Sequence, residues 1–438
     1  IAAFDPNENG IISVGGVGFD VNCLSGDTKV LFEHGFYKEI SQLEIEWLKA
    51  KLKCMNFNEK KEQETKILRF IKINPNNRIF KIKTVTGNEI ILTEDHPIWT
   101  QSGMTLAKEL KSGDKVAIYP FKGIRFEQPN DEIIIDENKI VSLQIPCNKK
   151  HIIFELKKRG LLPLKRSSLV FPYIVKVFAY NIGDGTLFFS EKKGYAWFFG
   201  KKEDLELIRK DIKKIGFKPS KVYERKRSHT INTKYGTVKF TVTEYSIKVT
   251  SRSFVALLHA FGAPLGEKAA QNYTVPESIM SSPLWHKRLF LATLFGAEMS
   301  TPKTITNHGY NFYMPAISVD KIAPLVENGK KFLKQIASLL KDFGIECSEI
   351  SEREEYLNRN GKLTYRIRLF INGKPENLIK LYELVGFEYN LNKKYLANVA
   401  VQYLKLKETI IKQRELAQKQ AILLYDSGKT LSQICNIL

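Results

Sequence analysis

Val177-Phe-Ala-Tyr-Asn-Ile-Gly-Asp-Gly185 and Leu291-Ala-Thr-Leu-Phe-Gly-Ala-Glu-Met299 are the two stretches on which the fold turns. Each reads as the end of an apolar helix that finishes in an acid. Ala179 and Gly183 stand at i, i+4, and so do Thr293 and Ala297. Small residues on one helix face let two helices approach closely. Such a pair would deliver Asp184 and Glu298 side by side at the helix ends. Adjacent carboxylates repel unless a cation lies between them, so they make an oxygen-ligand site suited to Mg²⁺ or Mn²⁺. Paired divalent ions at such a site promote in-line phosphodiester hydrolysis. Either stretch alone reads as a buried helix with a capping acid. Two copies 114 residues apart, each followed by charged strands, shift the reading to a site.

The surroundings repeat as well. A helix-like stretch Leu205–Gly216 ends in Ile-Gly-Phe, and Phe332–Gly344 is followed by Ile345 after Phe-Gly. Charged strand pairs follow each: Lys221–Lys226 with Tyr245–Val249, then Ser348–Arg353 with Tyr365–Phe370. Apolar helices close each half, at Phe254–Phe261 and Leu378–Val385. The expectation is an α+β domain over 150–390 with pseudo-two-fold, αββαββα-type repeats at about 170–265 and 285–390.

Charge points the same way. The chain has 438 residues, with 68 Lys and Arg against 47 Asp and Glu, a net +21. Residues 1–120 are balanced, so the whole excess lies beyond them. Residues 192–240 hold 15 basic and five acidic residues, interleaved with aromatics such as Tyr195, Trp197 and Phe199. An ordinary solvated face is the plain alternative, but this density favours nucleic acid. With 43% hydrophobic and 26% charged residues the composition is globular, not disordered. No apolar run nears the ~20 residues that span a bilayer, the N-terminal stretch does not read as a signal peptide, and no membrane partner is expected. Five cysteines without CxxC spacing exclude a secreted disulfide scaffold and a thiolate zinc site. A cytoplasmic monomer is expected.

Residues 23–125 read as a compact all-β unit, with short apolar runs at Thr28–Phe32, Lys66–Ile73, Ile79–Val85, Ile90–Thr93 and Lys115–Ile118. One short helix is expected over 41–51. Cys23 opens this unit, and Thr93-Glu-Asp-His96 lies some seventy residues on. Singly, Cys23 reads as an idle thiol and His96 as a satisfied histidine. Together they have a chemical logic. A thiol can attack the carbonyl of the peptide bond before it, a histidine can protonate the departing nitrogen, and a threonine can orient the bond. The glycine cluster at 15–18 lacks GxGxxG spacing and reads as a turn. Residues 391–438 are expected to be helical. Gly428 would sit in a turn and Thr430 or Ser432 would cap a next helix, as in a truncated helix-turn-helix, with a plain two-helix tail equally open.

These segments resemble the N-terminal splicing blocks of inteins, in the Hint (hedgehog/intein) fold. Cys23 matches the first intein residue, Thr93 and His96 match the TxxH block, and Lys111–Val116 is similar to the Gly-Asp-x-Val strand. The resemblance implies that residues 1–22 end an upstream host (extein) segment. It also implies that Cys23 starts autocatalytic splicing by an N–S acyl shift at Asn22–Cys23, without a cofactor. The required His-Asn block is absent: Asn436 follows Cys435 and precedes Ile437. A chain that starts at Ile1 and lacks this block reads as a fragment. Its own missing C-terminal segment and the host exteins are then partners.

The acid-ended helices are similar to those of LAGLIDADG (dodecapeptide, DOD-type) homing endonucleases. This implies Asp184 and Glu298 as metal-binding and catalytic acids, Mg²⁺ or Mn²⁺ as cofactor, and double-stranded DNA as substrate. Lys268 is the implied catalytic lysine, with Arg225 and Lys248 kept open. Glu298 for the usual Asp and Met299 for the usual Gly imply a weakened nuclease. Two alternatives stay open: a DNA-binding regulator on a dead scaffold, and a Hint module that only cleaves at its N-terminus. The Lys- and Ile-rich surface is similar to that of hyperthermophilic archaeal proteins.

Overall fold

The computed structural model describes residues 23–438 except 58, 60, 75–77, 192, 234, 235 and 359. The expected host segment 1–22, its glycine turn and the Asn22–Cys23 bond lie outside the described residues. The chain divides into two units. One runs to Arg125 and includes Asn398–Leu438, and the other is Phe126–Ala397.

The first unit is built from hairpins. Lys51–Asn56 pairs with Lys61–Lys66, Ile79–Lys83 with Glu89–Thr93, and Pro97–Thr100 with Gly103–Leu106. Lys29–Leu31 pairs antiparallel with Phe36–Glu39, which runs parallel to Ile124–Arg125. The described strands do not close into a barrel. Three expectations change here. The strand expected over 115–118 is only an isolated bridge from Val116 to Thr100. The helix over 41–51 is instead two 3₁₀ turns, Ile40–Leu43 and Trp47–Lys49. The strand expected over 66–73 lies earlier, at Lys61–Lys66. Its register is set by the turn that precedes it, where the Asn56 carboxamide oxygen accepts from the Glu59 N–H at 3.0 Å. The apolar residues after Lys66 do not decide it.

The C-terminal tail is one 36-residue helix, Leu391–Asp426, followed by a turn and Leu431–Ile437. Gly428 turns the chain with φ 86°, and the Thr430 hydroxyl accepts from Gln433 N–H at 3.3 Å to cap the last helix. Among the described residues no helix is long and apolar enough to cross a membrane.

The second unit repeats one order of elements. Helix Phe171–Ile182 leads to strands Gly185–Phe189 and Gly194–Gly200, then to helix Lys202–Lys214. Strands Tyr223–Thr233 and Gly236–Thr250 and helix Arg252–Phe261 follow. The four strands form an antiparallel sheet in which Gly194–Gly200 and Gly236–Thr250 are central. In the other half, helix Leu284–Glu298 precedes strand Ala316–Ile322 and helix Val326–Lys341. Strands Ser351–Leu357 and Leu363–Phe370 and helix Pro375–Lys380 complete it. Here Leu363–Phe370 is the central strand of three, and Thr304–Ile305 with His308–Phe312 forms a separate hairpin. Phe178, Phe198, Phe254, Phe290, Phe295 and Phe332 are buried between helices and sheets. Removing that apolar area from water is the main source of stability.

A charged network is buried beside the two acid-ended helices. Arg288, 1% exposed, donates from Nε to the Val385 carbonyl at 2.8 Å and from Nη1 to Glu388 at 2.6 Å. Lys176 lies 2.7 Å from Asp211 and 3.5 Å from Glu388, and the Tyr389 hydroxyl donates to Asp211 at 2.6 Å. Burial alone would push the Lys176 ammonium down, but Asp211 and Glu388 hold it above its ordinary value. The network fastens the segment around Glu388 to helix Leu284–Glu298. Gly296 makes that approach possible, because a Cβ there would lie 2.0 Å from the Glu388 carbonyl oxygen. Removing one member of a buried pair leaves an unpaired charge. Arg288→Met should therefore lower the unfolding free energy of this unit by about 3–5 kcal/mol. Urea unfolding followed by tryptophan fluorescence tests this, and an unchanged midpoint would show that the network is not stabilising.

Candidate functional site

Helices Phe171–Ile182 and Leu284–Glu298 meet through their small residues. A Cβ on Gly183 would lie 2.5 Å from the Ala297 Cβ, 3.2 Å from Glu298 Cγ and 3.5 Å from Glu298 Oε1. Glycine is thus required by contact across the crossing. Its φ of −77° is not left-handed, so the demand comes from the contact and not from that angle. Thr293 is fully buried. The crossing places Asp184 and Glu298 together at the carbonyl ends of their helices.

A helix carbonyl end carries partial negative charge, so two acids there need compensation. Two lysines supply it. Lys268 donates from Nζ to the carbonyls of Ile182, at 2.8 Å, and Gly183. Lys393 donates to the carbonyls of Phe295 at 3.2 Å, Gly296 at 2.8 Å and Ala297 at 3.2 Å. Each helix end thus receives one ammonium. Neither carboxylate accepts a hydrogen bond or forms an ion pair within 4 Å among the described residues.

The electrostatics follow from that crowding. Burial first, then the Asp184 charge, pushes the half-buried Glu298 up to about 7, against the pull of Lys268 and Lys393. Desolvation also raises Asp184, although the residue stays open to solvent on one side, so this push is the weaker of the two. Burial lowers Lys268, and lowers Lys393 to about 8 despite both acids. The site therefore holds carboxylates without donors of their own beside ammoniums of weakened proton affinity. Among the described residues no cluster of three or more His, Cys, Asp or Glu could hold a metal ion. Two free carboxylates nevertheless fit Mg²⁺ or Mn²⁺, which take one or two protein carboxylates and complete their shell with water and phosphate oxygens.

Sequence reasoning named Asp184, Glu298 and Lys268, and the structure brings these together. Lys393 was missed. A signal for it existed: Lys268 lies 84 residues after Asp184, and Lys393 lies 95 after Glu298. Arg225 and Lys248 lie elsewhere. Arg225 pairs opposite Glu244 in the sheet, and Lys248 sits over the rings of Trp197 and Tyr223 at 5.5 and 5.4 Å. Met299 does not disturb the helix end. It is 2% exposed with an ordinary φ of −73°.

In the first unit, Cys23, Thr93 and His96 also come together. The Cys23 N–H donates to the Thr93 hydroxyl at 3.0 Å, and the Thr93 N–H donates to the Cys23 carbonyl at 3.1 Å. The His96 N–H donates to the Thr93 carbonyl at 3.1 Å. His96 is 7% exposed and its Nδ1 has no partner among the described residues. Burial pushes the imidazole down to about 4 and pushes the Cys23 thiol up, so both are neutral at pH 7.

No family model matches the chain. It is 36% identical to the tRNA-splicing ligase RtcB of Methanocaldococcus jannaschii, over 99% of this chain and 43% of that protein. It is 33% identical to the protein of the same name from Pyrococcus furiosus, over 97% of this chain and 42% of that one. It is also 33% identical to the DNA-directed RNA polymerase subunit Rpo1N of M. jannaschii, over 90% of this chain and 29% of the relative. The chain spans less than half the length of these curated relatives.

These names correct several expectations. Relatives over nearly the full chain are named tRNA-splicing ligases, not inteins or LAGLIDADG endonucleases. The intein and homing-endonuclease recognition, the splicing and DNA-cutting function with its two alternatives, and the matching keywords are corrected accordingly. So are the expected partners, double-stranded DNA, exteins and a missing intein segment. The physical reason is specificity. Basic strands and an acid pair are compatible with a polyanion and a cation but specify neither. Contacts among Cys23, Thr93 and His96 come largely from backbone pairing and identify no reaction by themselves.

Two measurements check the geometry. Gly183→Ala forces the helices apart and should cost roughly 1–3 kcal/mol. An unchanged melting temperature would contradict the crossing. His96 is depressed in the folded state, so the unfolded chain binds its proton first as pH falls. Stability tied to neutral His96 is complete above about pH 6.5 and is lost toward pH 4, with roughly 3 kcal/mol at stake. In pH-dependent unfolding His96→Gln should remove that part of the slope, and an identical slope would argue against a neutral buried imidazole.

Proposed function

We propose that the chain is an enzyme whose Asp184 and Glu298 hold a divalent cation and act on the phosphodiester backbone of a polynucleotide. The observation that carries this is the pair of carboxylates, free of donors, at two converging helix ends that lysines already neutralise. Mg²⁺ or Mn²⁺, when bound, supplies charge stabilisation at a phosphoryl oxygen. Lys268 and Lys393 counter the negative helix ends; burial lowers the proton affinity of both, that of Lys393 to about 8, which suits Lys393 Nζ to give up a proton.

The basic excess supports a polyanionic substrate. On one sheet face, Lys248 lies over Trp197 and Tyr223, and Phe188 stacks on Tyr195 at 5.1 Å, a surface suited to bases and phosphates. The relatives' names support a polynucleotide too: one names tRNA, the other DNA-directed RNA synthesis. A stretch shared by proteins with different names, and less than half of each, points to that common chemistry and not to either name's whole activity. RNA is the first substrate to test.

End-labelled RNA, incubated with Mg²⁺, should change length with the wild-type protein and not with Asp184→Asn. Products that persist in Asp184→Asn, or in excess chelator, would sink the proposal. Because Glu298 titrates near 7, a cation must displace its proton below that pH. Mn²⁺ affinity should rise up to about tenfold per pH unit between 6 and 7 and level off above. Calorimetry on Glu298→Gln should show weak, pH-independent binding. Equal wild-type affinity at pH 6 and 8 would remove Glu298 from the ligand set.

A further inference from the structure

Lys321 is a fully buried lysine whose ammonium meets no carboxylate among the described residues. Burying an ammonium without an acid is costly, so its remaining contacts must be informative. Nζ donates to the carbonyl of Lys268 at 3.2 Å and to that of Gln271, and it lies 3.8 Å from the centroid of the Tyr273 ring. These are the two ends of the Lys268–Ala270 turn and the aromatic residue just beyond it. Burial pushes the ammonium down to about 8.

The path of its side chain is kept open. Gly329 lies within helix Val326–Lys341, where glycine is otherwise unfavourable. A Cβ there would stand 3.0 Å from Lys321 Cγ and 2.4 Å from Ile367 Cδ1. The segment after the turn is fixed by the same half of the unit. The Tyr273 N–H donates to Asn328 Oδ1 at 3.2 Å, and the Val275 N–H to Gln335 Oε1 at 2.9 Å. One continuous chain of contacts thus runs from strand Ala316–Ile322, through Lys321 and the turn, to Lys268 at the end of helix Phe171–Ile182.

We propose that Lys321 is a positioning residue, which holds the turn from Lys268 to Gln271 so that the Lys268 ammonium stays at the carbonyl end of helix Phe171–Ile182, beside Asp184 and Glu298. The inference rests on the proposed function only for the purpose it gives Lys268. The placement of Lys268 is tested without metal, substrate or turnover.

The experiment is reductive methylation of the folded, metal-free protein, with each lysine's extent read by peptide mass spectrometry. Lys268 and Lys393 should react slowly in the wild type. In Lys321→Met, Lys268 should react about tenfold faster while Lys393 stays protected, as expected for local release of one turn. General loosening would expose both lysines alike, and that result would overturn the positioning role. Gly329→Ala blocks the Lys321 side chain by a different route and should give the same selective exposure, so the idea remains testable if Lys321→Met does not fold. Protection of Lys268 retained in either folded variant would also overturn it. If Mn²⁺ fails to bind while the selective exposure is seen, the proposed cation site is wrong and the role of Lys321 stands.

Discussion

The close crossing at Gly183 and Ala297 is the constraint from which the rest of the second unit follows. Helices packed through larger side chains stand 8–10 Å apart. Here the space a single Cβ would need at residue 183 is already occupied by the neighbouring helix. That contact brings together two ends of like partial charge and two acids. The arrangement is unfavourable unless cations reach those ends, and the lysines arrive from segments distant in sequence. Lys268 comes from the turn that follows the first half, and Lys393 from the start of the long C-terminal helix. Each must be held in turn. Lys321 and the segment around Tyr273 hold one side. On the other, the Asn390 side chain donates to the Gly296 carbonyl at 2.9 Å and accepts from the Lys393 N–H at 3.0 Å.

This dependence explains what the sequence could and could not disclose. Small residues at i, i+4 before an acid are a local signal with a physical cause, so the crossing and the acid pair were legible. The lysine caps are not local. A lysine that donates to helix carbonyls leaves only a loose signal, the roughly similar distance from its acid in each half, and singly one candidate looks much like the other 67 basic residues. Lys321 was invisible for the same reason: within Ala316–Ile322 it alternates as any strand residue does, and only the glycine opposite betrays its burial.

In the first unit, the Cys23–Thr93–His96 cluster was legible as a group because both ends of it lie in short, strongly patterned runs. One hairpin was legible from the apolar runs on either side of Gly87, which has a positive φ, whereas the hairpin that turns at Gly103 was missed. Another was misplaced where a polar strand, Lys61–Lys66, pairs and the apolar stretch beyond it does not. What no pattern of this kind discloses is the reaction. A basic excess is compatible with any polyanion and paired acids with any hard cation, and both features suit many proteins that work on polynucleotides. Similar stretches accordingly lie within relatives of different name.

The difference in length between the two acids has a physical cause in the crossing itself. A glutamate is one methylene longer than an aspartate and would be expected to overshoot its partner. Gly183 eases that difficulty, because a Cβ there would crowd Glu298 Cγ at 3.2 Å. The longer acid is thus matched to a missing Cβ on the opposite helix. Its position also makes the pair electrically asymmetric. Glu298 is less open to solvent than Asp184 and is raised in part by Asp184's charge, so near neutral pH one carboxyl of the pair ionises before the other. Two carboxyls that ionise in this order form a site whose charge changes by one step near pH 7. The lysine caps lie close enough to feel that step.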